Sequence, residues 1–370
     1  MSEKNCSPLT EDNTITCFED ESLIKIAKKY NKQYPNDKIE IIYDKNNVLD
    51  RKSTWGQIKS KMMRFTPQCK EDWCLLQNNV LSSLKDKKIH EDTFRPKIPE
   101  EWNGDLTEWL STLVIQAVME QYELKYTDFK FIGPVPIDFD NDIFEGMCVS
   151  DELCKINLTK LYKQGVRKLG IVFNLDPHYR GGSHWVCMFV DFKTGGIYFF
   201  DSVGMPPPKE IKDLMDKLKN QGNNLIMKNI LNVDDMDDTH TEIFNFIRIN
   251  KDNTIKVQKG GAQPRWYTKL LDNIVVFKGN ILNRIVDVGK DGELVLDKQV
   301  TNQHGGSFKT KCFKEFYNKK QFQYKDSECG IYAIHFLEEF LKGKKFNEIV
   351  TNQHTDAQMF ELRKKYFRKN

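Results

Sequence analysis

The chain has 370 residues, 39% apolar and 29% charged, with 56 basic against 53 acidic side chains and a formal charge of +3. That length and balance suit a soluble globular protein of one to three domains, and the near-neutral charge marks no nucleic-acid surface. No apolar run approaches a membrane span, and the polar start MSEKNCSPLTEDNTITC predicts no secretion signal. Without that signal, the nine irregularly spaced cysteines are expected to be reduced thiols in a cytosol-like compartment. Cys69 to Cys74 and Cys148 to Cys154 lack the tight spacing of a zinc site, so no metal is expected.

In chain order, residues 1–20 read as frayed, and an amphipathic helix starts near Glu21 with Leu23, Ile24, Ile26 and Ala27. A strand-like KIEIIY follows. Ser53 to Leu84 reads as helical with a break at Pro67. FRPKIPEEWNG, from Phe94 to Gly104, has the prolines and glycine of a linker, which predicts an N-terminal arm over 1–99 and a core over 100–370. Ser111 and Thr112 then cap a helix with Val114, Ile115, Val118, Met119 and Tyr122 on one stripe. Three strands follow at Lys168–Leu175, His184–Phe192 and Gly196–Phe200, the last two joined by a turn at KTGG. A proline-started helix ends at Gly222. Residues 223–311 change texture, with short runs such as FNFIRI, TIKVQ, NIVVF and ELVLD between turn signals, and read as an inserted α/β or mainly β segment. The chain closes on a helix carrying Cys329 and a basic helix, DAQMFELRKKYFRK.

The chemistry concentrates late in the chain. A cysteine nucleophile acts as a thiolate, and the dipoles and free N–H groups of a helix N-terminus favour negative charge. Cys329 stands at such a start, with Ile331, Ile334, Phe336, Leu337 and Phe340 continuing the helix behind it. Gly330 keeps bulk away from an approaching carbonyl, and the Cys329 N–H faces a developing oxyanion. On these grounds alone a plain buried cysteine competes evenly with a nucleophile. A base and an orienter are still needed. His184 begins one strand and Asp201 ends the next, and successive antiparallel strands bring a first and a last residue to the same end of the sheet. They are therefore expected to pair, the carboxylate holding the imidazole. Gln323, six residues before Cys329, offers an amide to the oxyanion, with Gln321 as the nearby alternative. The histidines at 90, 178, 240, 304, 335 and 354 show no comparable carboxylate partner in the sequence.

His184-Trp185, Asp201-Ser202, Gln323 and Cys329-Gly330, in that order, resemble the ubiquitin-like-protein-specific cysteine proteases of the SUMO-deconjugating type, whose fold the adenovirus protease shares. The separations of 17 residues from His184 to Asp201 and six from Gln323 to Cys329 match that family's spacing. EWLSTLVIQ also resembles the start of the family's first helix, with Ser-Thr where many members have Asn-Asp. The resemblance implies an α+β fold, a central mixed sheet flanked by helices, with Trp109 and Trp185 as an aromatic tunnel that admits a Gly-Gly backbone. Two departures stand out. The gap between Asp201 and Cys329 is long, and Glu328 replaces the family's usual Asp before the cysteine. With the N-terminal arm and DFKFIGPVPIDFDN (128–141), they resemble the protein-processing thiol proteases of large DNA viruses, including African swine fever virus and giant amoebal viruses.

That resemblance implies an endopeptidase acting after Gly-Gly-type sites in viral structural precursors, without metal or organic cofactor, in the virion and the host cytoplasm. The alternative is an isopeptidase that removes SUMO or ubiquitin-like modifiers from host proteins, because those modifiers also end in Gly-Gly. A dead binding module is disfavoured by the four intact catalytic positions. Two internal Gly-Gly pairs, in KGGAQ (259–263) and HGGSF (304–308), read as hairpin turns rather than self-cleavage sites.

Overall fold

The computed structural model describes residues 5–12, 15–69, 71–103, 105–227, 230–232, 235–237 and 311–368, together with the backbone of strand segments within 241–310. The chain divides into two compact units. One comprises Met1–Thr127, Lys325–Ile334 and His354–Asn370; the other comprises Asp128–Tyr324 and His335–Gln353. The expected boundary near residue 100 falls inside the first of these.

The first unit is mainly helical, with helices Asp20–Gln33, Arg51–Met62 and Thr112–Lys125 and the C-terminal helix Asp356–Tyr366. Phe18, Leu23, Ile26, Tyr30, Trp55, Ile58, Trp73 and Phe94 form one apolar core. The expected strand at KIEIIY does not form; Tyr43 makes only an isolated bridge to Leu49. The reason lies in side chains of the neighbouring helices. Asn31 Oδ1 accepts from Ile39 N at 2.6 Å, Gln57 Oε1 from Glu40 N at 2.9 Å and Thr54 Oγ1 from Ile42 N at 3.3 Å. Those backbone donors are satisfied without a sheet partner. Ser111 caps the Thr112 helix as expected, its hydroxyl accepting from Val114 N.

The second unit is built on a five-stranded mixed sheet. Phe129–Pro136 lies parallel to Lys168–Asn174, which runs antiparallel to Trp185–Asp191, itself antiparallel to Gly196–Phe200; Lys314–Tyr317 joins the far edge in parallel. Alternation of side chains sends each strand's residues to both faces. Ile171, Phe173, Val186, Met188, Val190, Ile197 and Phe199 pack with Ile211, Leu214, Met215 and Leu218 of helix Lys209–Met227. On the other face Phe336 and Phe340 stack on Phe200 and Phe189, each pair with ring centroids 4.5 Å apart. The helix Lys209–Met227 runs past Gly222, which was expected to end it. Gly222 is instead a close-packing position, since a Cβ there would meet the Phe313 ring at 2.4 Å. Within 241–311 six strands form a second, antiparallel sheet. HGGSF lies in its strand His304–Lys311, not in a turn, whereas KGGAQ lies outside the described residues.

The nine reduced thiols expected from the sequence are corrected. Cys6–Cys17, Cys69–Cys74 and Cys148–Cys154 are joined as disulfides, with Cα atoms 5.2, 5.7 and 6.3 Å apart, inside the reach of that bond. Cys187, Cys312 and Cys329 are not in disulfides. Among the described residues no helix is long and apolar enough to cross a membrane.

Candidate active site

The hairpin of Trp185–Asp191 and Gly196–Phe200 sets the first pair. Cys187 stands opposite Phe200, so the residues just outside the two strands meet at the same end of the sheet. There His184 Nε2 lies 2.7 Å from Asp201 Oδ1. Asp201 is buried and its carboxylate also accepts from Val203 N at 2.8 Å and Met205 N at 3.2 Å. Asn318, just past strand Lys314–Tyr317, holds the same residue from behind: its Oδ1 accepts from Asp201 N, and its Nδ2 donates to Asp201 O at 2.6 Å. Cys187 sits opposite Phe200 on the same hairpin, and burial, with the Asp201 charge adding to it, pushes its thiol well above the ordinary cysteine range. Both effects favour the protonated thiol at Cys187.

Gln323 is buried in the same unit. Ser202 Oγ donates to Gln323 Oε1 at 2.7 Å, and Ser202 O accepts from Gln323 N at 2.9 Å. The amide oxygen is thereby held as an acceptor, and the donor an oxyanion needs is the amide's NH2. Gln321 is committed elsewhere: its Nε2 donates to Gln323 O at 2.8 Å. Trp185, the first residue of its strand, is buried.

The loop entering His184 is fixed rather than loose. Asn174 Oδ1 accepts from Asp176 N at 2.9 Å and Ser183 N at 3.2 Å. His178, for which the sequence offered no carboxylate, has one: Asp138 takes His178 N at 2.9 Å through one oxygen and His178 Nδ1 at 2.7 Å through the other. Asp138 is 40 residues upstream, so no local spacing exposes the pair.

In the first unit, Cys329 opens helix Cys329–Leu341 and is buried, as is Gly330 behind it. Glu328 O accepts the first helical bond, from Tyr332 N at 2.9 Å. The Glu328 carboxylate, itself buried, meets Arg363 Nε at 3.1 Å, while Arg363 also donates to Ser327 O at 3.1 Å and to Glu108 O at 2.5 Å. Burial raises the Glu328 pKa above the ordinary glutamate value, and the Arg363 charge opposes that shift. Trp109, next to Glu108 and ahead of helix Thr112–Lys125, keeps 41% of its surface exposed.

No protein-family model matches the chain. It is 26% identical to a thiol protease of Acanthamoeba polyphaga mimivirus over 375 aligned residues, covering 98% of this chain and 93% of that one. An African swine fever virus protein named SUMO-1 cysteine protease is 24% identical over 199 residues, covering 50% of this chain and 72% of its own length. The crystal structure of the African swine fever virus protease superposes on 91% of this chain and 97% of its own, at 17% identity and a TM-score of 0.52, which establishes the shared fold. The mixed sheet flanked by helices is thus the α+β fold expected from the sequence. By these likenesses the chain is similar to viral cysteine proteases of the SUMO-protease-like type and shares the fold of one of them.

Proposed function

We propose that the chain is an endopeptidase that cuts viral structural or core precursors after Gly-Gly-type sites during virion maturation, acting in the virion and the host cytoplasm. The observation that carries the reading is the buried Asp201 carboxylate on His184 Nε2 at 2.7 Å, which orients the ring for proton transfer at Nδ1. His184 takes the Cys329 thiol proton. The thiolate attacks the scissile carbonyl, and the C–O electron pair moves onto oxygen, met by the Gln323 amide and the Cys329 N–H. The tetrahedral adduct collapses, the C–N bond breaks and the imidazolium gives its proton to the departing amine. Water then adds to the thioester with His184 as base, releasing the carboxylate and the thiol. No metal or organic cofactor enters these steps. Trp109, Trp185 and Gly330 line the path of the substrate backbone, where only glycine is thin enough to pass between two indoles.

The alternative is removal of SUMO or ubiquitin-like modifiers, favoured by the name of the swine fever relative, a SUMO-1 cysteine protease. One experiment tests both. Wild type and Cys329→Ala are incubated in reducing buffer with a Gly-Gly-X peptide library and with fluorogenic SUMO and ubiquitin C-terminal substrates. Cleavage of the library by wild type alone supports the endopeptidase; efficient turnover of the modifier substrates shifts the reading to the isopeptidase. Cleavage by Cys329→Ala overturns the nucleophile.

A further inference from the structure

The side chain that joins the two halves of the first unit's contribution is neither at the proposed triad nor near it in sequence. Arg363, on helix Asp356–Tyr366, is 2% exposed. Each part of its guanidinium is used. Nε meets Glu328 Oε2 at 3.1 Å, Nη2 donates to Ser327 O at 3.1 Å, Nη1 donates to Glu108 O at 2.5 Å, and Cζ lies 4.6 Å from the Trp102 ring centroid. Glu328 and Ser327 immediately precede Cys329. Glu108 immediately precedes Trp109. A single planar, always charged fork therefore ties the segment before the nucleophile to the segment before the indole.

We propose that Arg363 is a positioning residue that fixes Trp109 in register with Cys329, so that a substrate backbone held at the indole meets the sulfur. The proposal rests on Cys329 as nucleophile and Trp109 as substrate contact. It also accounts for Glu328. The carboxylate that reaches the Arg363 fork belongs to a glutamate, and aspartate, one methylene shorter, withdraws from a fork already fixed by two carbonyls and an indole. A register device differs from a general brace in what it moves. Small reagents that alkylate a thiol without touching the indole are indifferent to it. Ligands that must span both groups are not.

The test compares two labelling rates on the full chain: iodoacetamide, and a Gly-Gly peptide carrying a C-terminal thiol-reactive group, each read by mass at Cys329. Arg363→Lys keeps the charge and loses the fork. We expect the Gly-Gly probe to slow about tenfold in Arg363→Lys while iodoacetamide stays within twofold. Trp109→Ala is expected to slow the probe similarly, and adding Arg363→Lys to Trp109→Ala to slow it little further, because both act on one interaction. Equal slowing of both reagents, additive slowing in the double variant, or wild-type probe rates in Arg363→Lys each overturn the proposal. If Arg363→Lys does not fold, Glu328→Gln, isosteric and uncharged, is read by the same criteria. Failure of the catalytic reading itself looks different: the Gly-Gly probe then labels wild type at a site other than Cys329, or labels Cys329→Ala.

Discussion

Asp201→Asn separates the structural from the chemical part of the carboxylate's work. Asp201 Oδ1 takes two donors, His184 Nε2 at 2.7 Å and Val203 N at 2.8 Å, and Oδ2 takes Met205 N at 3.2 Å. An asparagine whose oxygen replaces Oδ1 keeps the two short bonds and turns its NH2 toward the Met205 N–H. The opposite rotamer sets its NH2 against the Val203 N–H, keeps His184 only through the other ring tautomer, and so is disfavoured. The structural cost is then the longest of three bonds and one donor facing a donor, about 1–2 kcal/mol. The chemical cost is larger. The amide carries no charge to stabilise an imidazolium, and with the ring tautomer kept the loss in kcat is expected to be large but below the roughly 10⁴ of a triad whose asparagine imposes the wrong tautomer. The assay is kcat on a Gly-Gly-X peptide, with near-ultraviolet circular dichroism and a denaturant midpoint on the same preparation. A folded Asp201→Asn enzyme within threefold of wild-type kcat would remove Asp201, and the His184 geometry with it, from the mechanism.

Two further changes probe the same unit. Ser202→Ala removes the hydroxyl that donates to Gln323 Oε1, freeing the amide to rotate; kcat is expected to fall roughly tenfold with KM little changed, at about 1–3 kcal/mol of stability for the orphaned buried oxygen. An unchanged kcat in that variant would mean that Gln323 is oriented by something else or is not the oxyanion donor. Asp191 has its pKa raised from 3.8, chiefly by burial, with the Lys193 and Thr194 backbone N–H groups opposing. Its ionised form is thus disfavoured by folding: stability attributable to the group is highest below 3.8 and is lost as pH rises through the higher folded value. The stability of Asp191→Asn relative to wild type should accordingly climb across that window and level off above it. A flat difference from pH 3 to 7 in urea titrations counts against the assignment.

The sequence exposed what periodicity and local order carry. Strand ends fix which residues share an end of a sheet, so the meeting of His184 and Asp201 followed from a hairpin and its turn. The helix opening at Cys329 followed from the apolar residues that continue behind it at helical spacing. What stayed hidden is what long-range hydrogen bonds decide. Asn318 reaches back to Asp201, Asp138 forward to His178, and Arg363 to carbonyls at 108 and 327; none of these spacings has a period. The strand expected at KIEIIY failed for the same reason: its donors were taken by Asn31, Gln57 and Thr54 from two helices. Gly222 misled because a glycine near a helix end has two explanations, and only the Phe313 ring distinguishes close packing from a cap. The cysteine pairs were equally silent, since spacing carries no geometry of Cα atoms.

The segment within 238–310 is expected to be removable, because the chain leaves and returns at one turn. Asp237 N donates to Lys193 O at 2.8 Å, Lys314 N to Gly195 O at 2.8 Å, and Lys311 Nζ to Met236 O. Phe313 N donates to Asn223 Oδ1 at 2.9 Å, and the Phe313 ring covers Gly222. Exit and return are therefore fastened to residues 193–195 and to helix Lys209–Met227 independently of what the intervening strands do. Met236 and Phe313 both belong to the core of the second unit, so a cut must spare them. Replacing 238–310 by a short Gly-Ser linker shortens the loop roughly tenfold, which lowers its closure entropy cost by about 2 kcal/mol. The excised chain should then fold with a denaturant midpoint at or above that of the full chain and should cleave Gly-Gly-X peptides within threefold of its kcat. If it aggregates or loses the near-ultraviolet signal of its core aromatics, the six-stranded sheet is a structural part of the protease and not an addition to it. If it folds and cuts peptides but no longer cuts folded precursors, the segment selects substrates.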